Sequence, residues 1–245
     1  MKLRVTDVNC SFEGKTILEH MNMDVEEGEF VSILGPSGCG KSTLLNIMAG
    51  LVQADSGQVF IDETLSAGVS GHFAYMPQQD LLFPWKTIME NVCLYGKIHG
   101  DVKAARKQAT ENFDKFGLAG YENKYPHELS GGMRQRAAFL RTALCKADIL
   151  LLDEPFGALD VITRGDMQDW LLDIRKELGR TIVFVTHDID EAIYLSDRVL
   201  VLSGKPASVK KEVVIHGEER SKDWLFEQHE TRKAIYRILK GIESK

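Results

Sequence analysis

No stretch of the 245 residues approaches the roughly 18 consecutive apolar positions that a membrane-crossing helix needs. Any contact with a bilayer is therefore expected to pass through a partner. A secretory leader is not expected either, because Met1 to Asp7 alternate apolar and polar residues instead of joining a basic head to a greasy run. Cysteine is scarce: Cys10, Cys39, Cys93 and Cys145 stand alone, with no CxxC pair and no histidine cluster at ligand spacing. That suggests neither a disulfide framework nor a zinc site and fits a reducing, cytosolic compartment. Positive charge is in the minority, with 30 Lys and Arg against 36 Asp and Glu and a net charge of −6. A nucleic-acid partner gripped by a broad cationic surface is thereby disfavoured.

What is there is an ordinary globular composition, 44% hydrophobic and 27% charged, in a chain long enough to bury a core without staples. Alternation in Leu3-Val5, Ile17-Leu18 and Met23-Val25, and again in Gln58-Val59-Phe60-Ile61, predicts antiparallel strands at one edge. Three continuous apolar runs differ from these: Phe30 to Leu34, Ile149 to Leu152, and Thr181 to Val185. Such runs suit strands covered on both faces, as in a parallel sheet, and each ends in a polar turn. Open α/β sheets bind ligands at the carboxyl ends of their strands, so one cleft is expected to collect all three turns. Apolar positions at three-and-four spacing, from Ile88, Val92 and Tyr95 through Ala105, Ala109, Phe113 and Phe116 to Leu140, predict helices over 81–145. A further helix carries Met167, Leu171, Ile174 and Leu178 and stops at Gly179. Beyond Lys205 the chain turns basic, and Ile235, Leu239 and Ile242 mark a short amphipathic helix.

Gly35-Pro36-Ser37-Gly38-Cys39-Gly40-Lys41-Ser42-Thr43 matches G-x-x-x-x-G-K-[ST], after a predicted strand and before an apolar helix. Glycines let backbone N–H groups turn inward around a β-phosphate, Lys41 offers a mobile cation to the β and γ oxygens, and Ser42 suits Mg²⁺. Cys39 beside Lys41 at a helix start has the setting of a reactive thiol that nucleotide would protect from alkylation; a spectator thiol is the alternative. Ile149 to Glu154 puts two carboxylates at the end of a buried strand, where an idle charge is costly. Asp153 suits Mg²⁺ positioning, and Glu154, pointing the other way, can take a proton from an attacking water. A GTPase is excluded, because its N-K-x-D guanine reader is missing: Asn123-Lys124 runs into Tyr125-Pro126.

Leu129-Ser130-Gly131-Gly132-Met133-Arg134-Gln135-Arg136 decides among the remaining nucleotide enzymes. Ser130 reads as an N-cap, Gly131 and Gly132 expose backbone amides, and the helix aims its positive end outward as a second anion site. One ATP leaves no room for two such sites in one chain, so the simplest closure is a two-fold dimer with each nucleotide between one copy's loop and the other's helix.

The octapeptide resembles the signature of ATP-binding cassette (ABC) proteins, and residues 1 to 205 as a whole resemble the nucleotide-binding subunit of an ABC transporter. The resemblance implies an α/β fold of the P-loop NTPase (RecA-like) type, a parallel-sheet core with an N-terminal antiparallel β-layer. One cassette would span 1–245: core and β-layer at 1–80 and 146–204, an inserted helical subdomain at 81–145 and a short tail at 205–245. It places an adenine-stacking aromatic at Phe12, the glutamine loop at Gln78, a dimer-contacting loop at Asp160 and the switch histidine at His187. Glu154 would be the general base, His187 and Lys41 would stabilise the γ-phosphate, and Ser42 and Gln78 would ligate Mg²⁺. Departures are Met133 where glutamine is usual and Gly157 where serine is frequent. Pro84-Trp85 and the signature's wording look most like importers of nitrate, sulfonate and taurine, a group that includes uptake systems for thiamine's pyrimidine precursors. The implied partners are a second cassette, two permease subunits and, indirectly, an extracytoplasmic solute-binding protein, which puts the chain peripherally on the cytoplasmic face of the membrane. The rivals are a soluble ABC ATPase on ribosomes or DNA, which usually carries two cassettes or a long coiled coil, and a non-catalytic module, which would have lost Lys41 or Glu154. Trp85 is either part of a docking groove or packed inside the helical region.

Overall fold

The computed structural model describes residues 1–66, 68–217 and 219–241, so Ile242 of the expected tail helix lies outside the described residues. Alternation builds the first layer. Strand β1 (Leu3–Phe12) buries Leu3, Val5, Val8 and Cys10 and pairs antiparallel with β2 (Lys15–Val25), which is a single long strand. The chain then leaves this layer through β3 (Phe30–Leu34) and α1 (Lys41–Met48) and returns as β4 (Ser56–Ile61) and the short β5 (Thr64–Leu65), giving the order β2-β1-β4-β5.

After β6 (Phe73–Met76) come α2 (Ile88–Val92), α3 (Leu94–Ile98), α4 (Val102–Phe113), a 3₁₀ turn at Pro126–Glu128 and α5 (Gly131–Ala143). The periodicity from Ile88 to Tyr95 predicts one helix, but the chain breaks at Cys93 into two short ones. Phe116, predicted on the next helix, lies past its end and is nevertheless fully buried. The remaining elements alternate: β7 (Ile149–Asp153), α6 (Val161–Leu178), β8 (Thr181–Thr186), α7 (Ile189–Leu195) and β9 (Arg198–Ser203), followed by β10 (Ser208–Val214), α8 (Lys222–Glu227) and α9 (His229–Leu239).

The second sheet has the order β10-β9-β3-β8-β7-β6 and is parallel throughout except for β10, which closes the edge as a hairpin with β9. Its middle strands are buried from end to end, and their side chains alternate between two cores. Ile149 and Leu151 join the core shared with α1 and the antiparallel layer, whereas Leu150 and Leu152 join the core shared with Phe113, Phe139 and Leu171. Because β8 lies between β3 and β7, the turns after all three strands emerge side by side at one edge.

Candidate functional site

The turn after β3 bends at Gly38 and Gly40, both with positive φ, and a Cβ on Gly40 would lie 2.8 Å from Leu18 Cδ2 and 2.9 Å from Ile17 Cγ2. Unlike α2, α5, α6 and α7, which start on a side-chain cap, α1 starts at this glycine with no side chain on its first amides. Those N–H groups and the helix dipole are available to an anion. Lys41 folds back over the loop: its buried ammonium donates to the carbonyls of Gly35 (2.9 Å) and Pro36 (3.0 Å) and lies 3.4 Å from Glu154 Oε1.

At the end of β7 the two carboxylates diverge. Asp153 is buried and accepts hydrogen bonds from Ser42 Oγ (3.0 Å) and Tyr75 Oη (3.1 Å). Burial pushes its carboxyl above the usual range, against the opposing pull of those two donors, while burial and the Asp153 charge raise the Tyr75 phenol. The hard oxygen donors Ser42 and Asp153, with the Gln78 amide on the same cleft, suit Mg²⁺. Tyr75 was not foreseen: it is 78 residues from Asp153 in sequence and is brought there only by the pairing of β6 with β7.

Glu154 takes a left-handed backbone, φ 43°, with its N–H on the Val185 carbonyl. That region is uncommon for a glutamate, and the carboxylate lies within the cleft. It lies between Lys41 and His187, whose Nδ1 is 2.9 Å from Glu154 Oε2. A Cβ on Gly157 would be 3.4 Å from Gln78 Nε2 and from the Glu154 backbone carbonyl, ordinary contact distances, so a Cβ itself would fit beside both.

The resulting cleft, about 380 Å³, is lined by Phe12, Ile17, Ser37, Gly38, Gly40, Lys41, Ser42, Thr43, Gln78 and Glu154. Phe12 is 46% exposed at its rim, so it is not a core residue, and its ring is free to take a flat ligand. The reactive-thiol expectation for Cys39 is corrected: the residue is 2% exposed and its Sγ packs toward Gly35 within the core. Its amide is also engaged, donating to the Pro36 carbonyl at 3.3 Å.

Ser130, Gly131 and Gly132 are not among the residues lining this cleft. Ser130 caps α5, accepting from Met133 N at 3.3 Å, and with Gly131 faces solvent, whereas Gly132 is buried. A Cβ at Gly132 would meet Thr163 Cγ2 at 2.5 Å. Thr163 cannot swing aside, because its hydroxyl donates to Asp160 Oδ2 at 2.7 Å. Asp160 itself caps α6, accepting from the amides of Ile162 and Thr163, and the Thr163 hydroxyl foremost, with these amides, holds its carboxyl below the usual range. Gly132→Ala therefore forces α5 and α6 apart; a stability loss of about 1–3 kcal/mol is expected in urea unfolding.

After β8, Thr186 donates to the buried Glu191 Oε2 at 2.6 Å and Gln168 donates to its Oε1 at 3.3 Å. Burial raises the Glu191 carboxyl above its unfolded value. A raised acid loses stability as pH climbs from the unfolded pKa, about 4.3, through the folded one, and the loss persists above it. Glu191→Gln should accordingly melt higher than the parent at pH 8, with the gap closing below about pH 4; calorimetry across pH checks it.

A family model described as "ABC transporter" matches residues 18–157. The formylaminopyrimidine import ATP-binding protein ThiZ of Halalkalibacterium halodurans is 44% identical over 234 residues, 95% of this chain and 92% of the relative. The aliphatic sulfonates import ATP-binding protein SsuB of Bacillus cereus is 42% identical over 217 residues, 87% and 86% of the two chains. Among solved structures, the dimeric post-hydrolysis state of the ATP-binding cassette MJ0796 with ADP and Pi superposes with a TM-score of 0.75 at 32% identity, covering 88% of this chain and 99% of that one.

Proposed function

From the premise that the chain belongs to the ABC transporter family and is an ATPase of the P-loop fold that uses ATP and Mg²⁺, we propose that it drives solute import through partner membrane subunits. The observation that supports this most is the separation of its two anion-binding helix starts: the α1 loop lines the cleft, and the exposed Ser130-Gly131 start of α5 does not. Two copies, each completing the other's cleft, use both. The dimeric cassette structure supports that arrangement. The division into core, helical subdomain 81–145 and tail belongs to the same reading.

Within a closed pair, Phe12 stacks on the adenine, and the α1 amides and Lys41 hold the phosphates. Ser42, Gln78 and Asp153 would hold Mg²⁺, which would offset charge on the phosphate oxygens. Glu154 takes the proton of the attacking water, and His187 leaves Glu154 to donate to the γ-phosphate. Asp160 carries the contact between copies.

The docking side for a permease is the segment after Gln78. Leu81 and Trp85 are exposed, Trp85 at 70%, so the interior packing alternative for Trp85 fails. Its ring lies 5.2 Å from Phe83, and the loop beneath is fixed by the buried Asn91, which bonds the backbones of Phe83, Lys86 and Thr87. No helix among the described residues is long and apolar enough to cross a membrane, consistent with peripheral attachment at the cytoplasmic face. Import of sulfonates or of a formylaminopyrimidine is the favoured cargo class, from the relatives' activities. The test is recovery with the membrane fraction alongside a multi-span permease: Trp85→Ala, with an unchanged thermal midpoint, is expected to lose at least half of that association. Equal recovery of both forms, or recovery of the parent in the soluble fraction alone, would overturn the docking surface.

A further inference from the structure

The tail after β10 lies on the switch. Arg220 bonds the Tyr194 carbonyl and pairs with Asp197, Lys222 sits 4.1 Å over the Tyr194 ring, and α9 packs on α7 and β9. Ile235 of α9 is fully buried in one apolar cluster with Leu34, the last residue before the phosphate loop, and with Ala192 and Ile193 of α7. The tail thus reaches the roots of both the loop that holds phosphate and the helix that follows His187.

One contact reaches further. Arg232 Nε donates to Asp190 Oδ1 at 2.6 Å, and its Nη2 donates to the Leu225 carbonyl at 3.2 Å, which fixes the guanidinium between α8 and α7. Asp190 is the second residue of α7. Its amide, with that of Glu191, is capped by Asp188, and the Asp188 amide bonds Thr186 Oγ1 at the end of β8. His187 is the residue between Thr186 and Asp188, so its backbone has no slack that this chain of bonds does not take up. Apolar packing of Ile235 on Ala192, Ile193 and Ile189 joins the body of α7 to α9, whereas beside His187 an open groove of about 640 Å³, lined by His187, Ile189, Lys233 and Tyr236 among others, runs between switch and tail. Across it the ion pair is the bridge.

We propose that Arg232 is a positioning residue for hydrolysis: by anchoring Asp190 it fixes the start of α7 and thereby the place of the His187 imidazole over Glu154. The proposal rests on the reading of His187 as the switch. Release of the anchor lets the imidazole wander within a site where displacement by about 1 Å costs up to 10²-fold in rate. Nucleotide binding through Phe12 and the phosphate loop is untouched. Because both partners are substantially exposed, the pair contributes little to stability, which separates positioning from folding.

The experiment compares the full chain with Arg232→Met, which keeps the aliphatic stem, Arg232→Lys, Asp190→Asn, the Arg232→Met/Asp190→Asn double variant and His187→Ala. It measures kcat, the Kd for ATP and the thermal midpoint. Expected are a roughly tenfold fall in kcat for Arg232→Met with Kd within about twofold and the midpoint unchanged, recovery of at least half of kcat in Arg232→Lys, and a double variant no slower than the slower single one. Parent-level kcat in Arg232→Met beside an inactive His187→Ala overturns the positioning role and leaves the switch standing; parent-level kcat in His187→Ala overturns the switch itself. A fall in kcat matched by equal losses of affinity and thermal midpoint, or absent rescue by lysine, also overturns the proposal.

Discussion

Glu154→Gln is expected to lower ATP turnover by roughly 10²–10⁴-fold, the range for loss of a general base, while ATP still binds. The glutamine keeps the length and shape of the side chain, and its amide oxygen can still accept from Lys41, whose ammonium lies 3.4 Å from the parent carboxylate. What it cannot do is take a proton from water. With hydrolysis stopped and nucleotide contacts intact, ATP binding favours the closed pair, because only there are both helix starts engaged. Light scattering in Mg·ATP should report twice the monomer mass for this variant and the monomer mass without nucleotide. Unchanged turnover would remove the role from Glu154; a strictly monomeric mass in ATP would remove the shared-nucleotide dimer.

Lys41→Met should act one step earlier. The Lys41 ammonium is buried and satisfied by two loop carbonyls and Glu154, so the loop is shaped around it. A charge-assisted hydrogen bond contributes about 1.5–3 kcal/mol, so removing the donor weakens ATP binding by roughly 10–10²-fold. Methionine fills the space but leaves the Gly35 and Pro36 carbonyls without that partner. Titration calorimetry with ATP distinguishes this outcome from the Glu154 variant, which retains affinity. Parent affinity in Lys41→Met would show that the loop amides alone hold the phosphates.

The chemistry was legible where it is contiguous. The loop from Gly35 to Thr43 and the pair Asp153-Glu154 each follow a buried strand, and strand burial can be read from an apolar run. Ser130 as a cap and Gly179 as a helix stop were equally local and stand as read. Side-chain direction was not local. Cys39 has the neighbours of a reactive thiol, yet the turn sends its Sγ inward. Asp160, expected as a contact between copies, is also the cap that fixes Thr163. Tyr75 reaches Asp153, and Gly132 meets Thr163, through sheet order and helix crossing, neither of which leaves a spacing to count. The edge hairpin of β9 and β10 carried no reading, because the apolar run over Val199 to Leu202 lies beside no recognisable motif.

The absent Cβ at Gly132 has a mechanical consequence. With backbone seated directly on a threonine that is itself tied to the Asp160 carboxylate, the starts of α5 and α6 form one stiff lever instead of two independent fingers. A force on either helix start is therefore expected to displace the other as well.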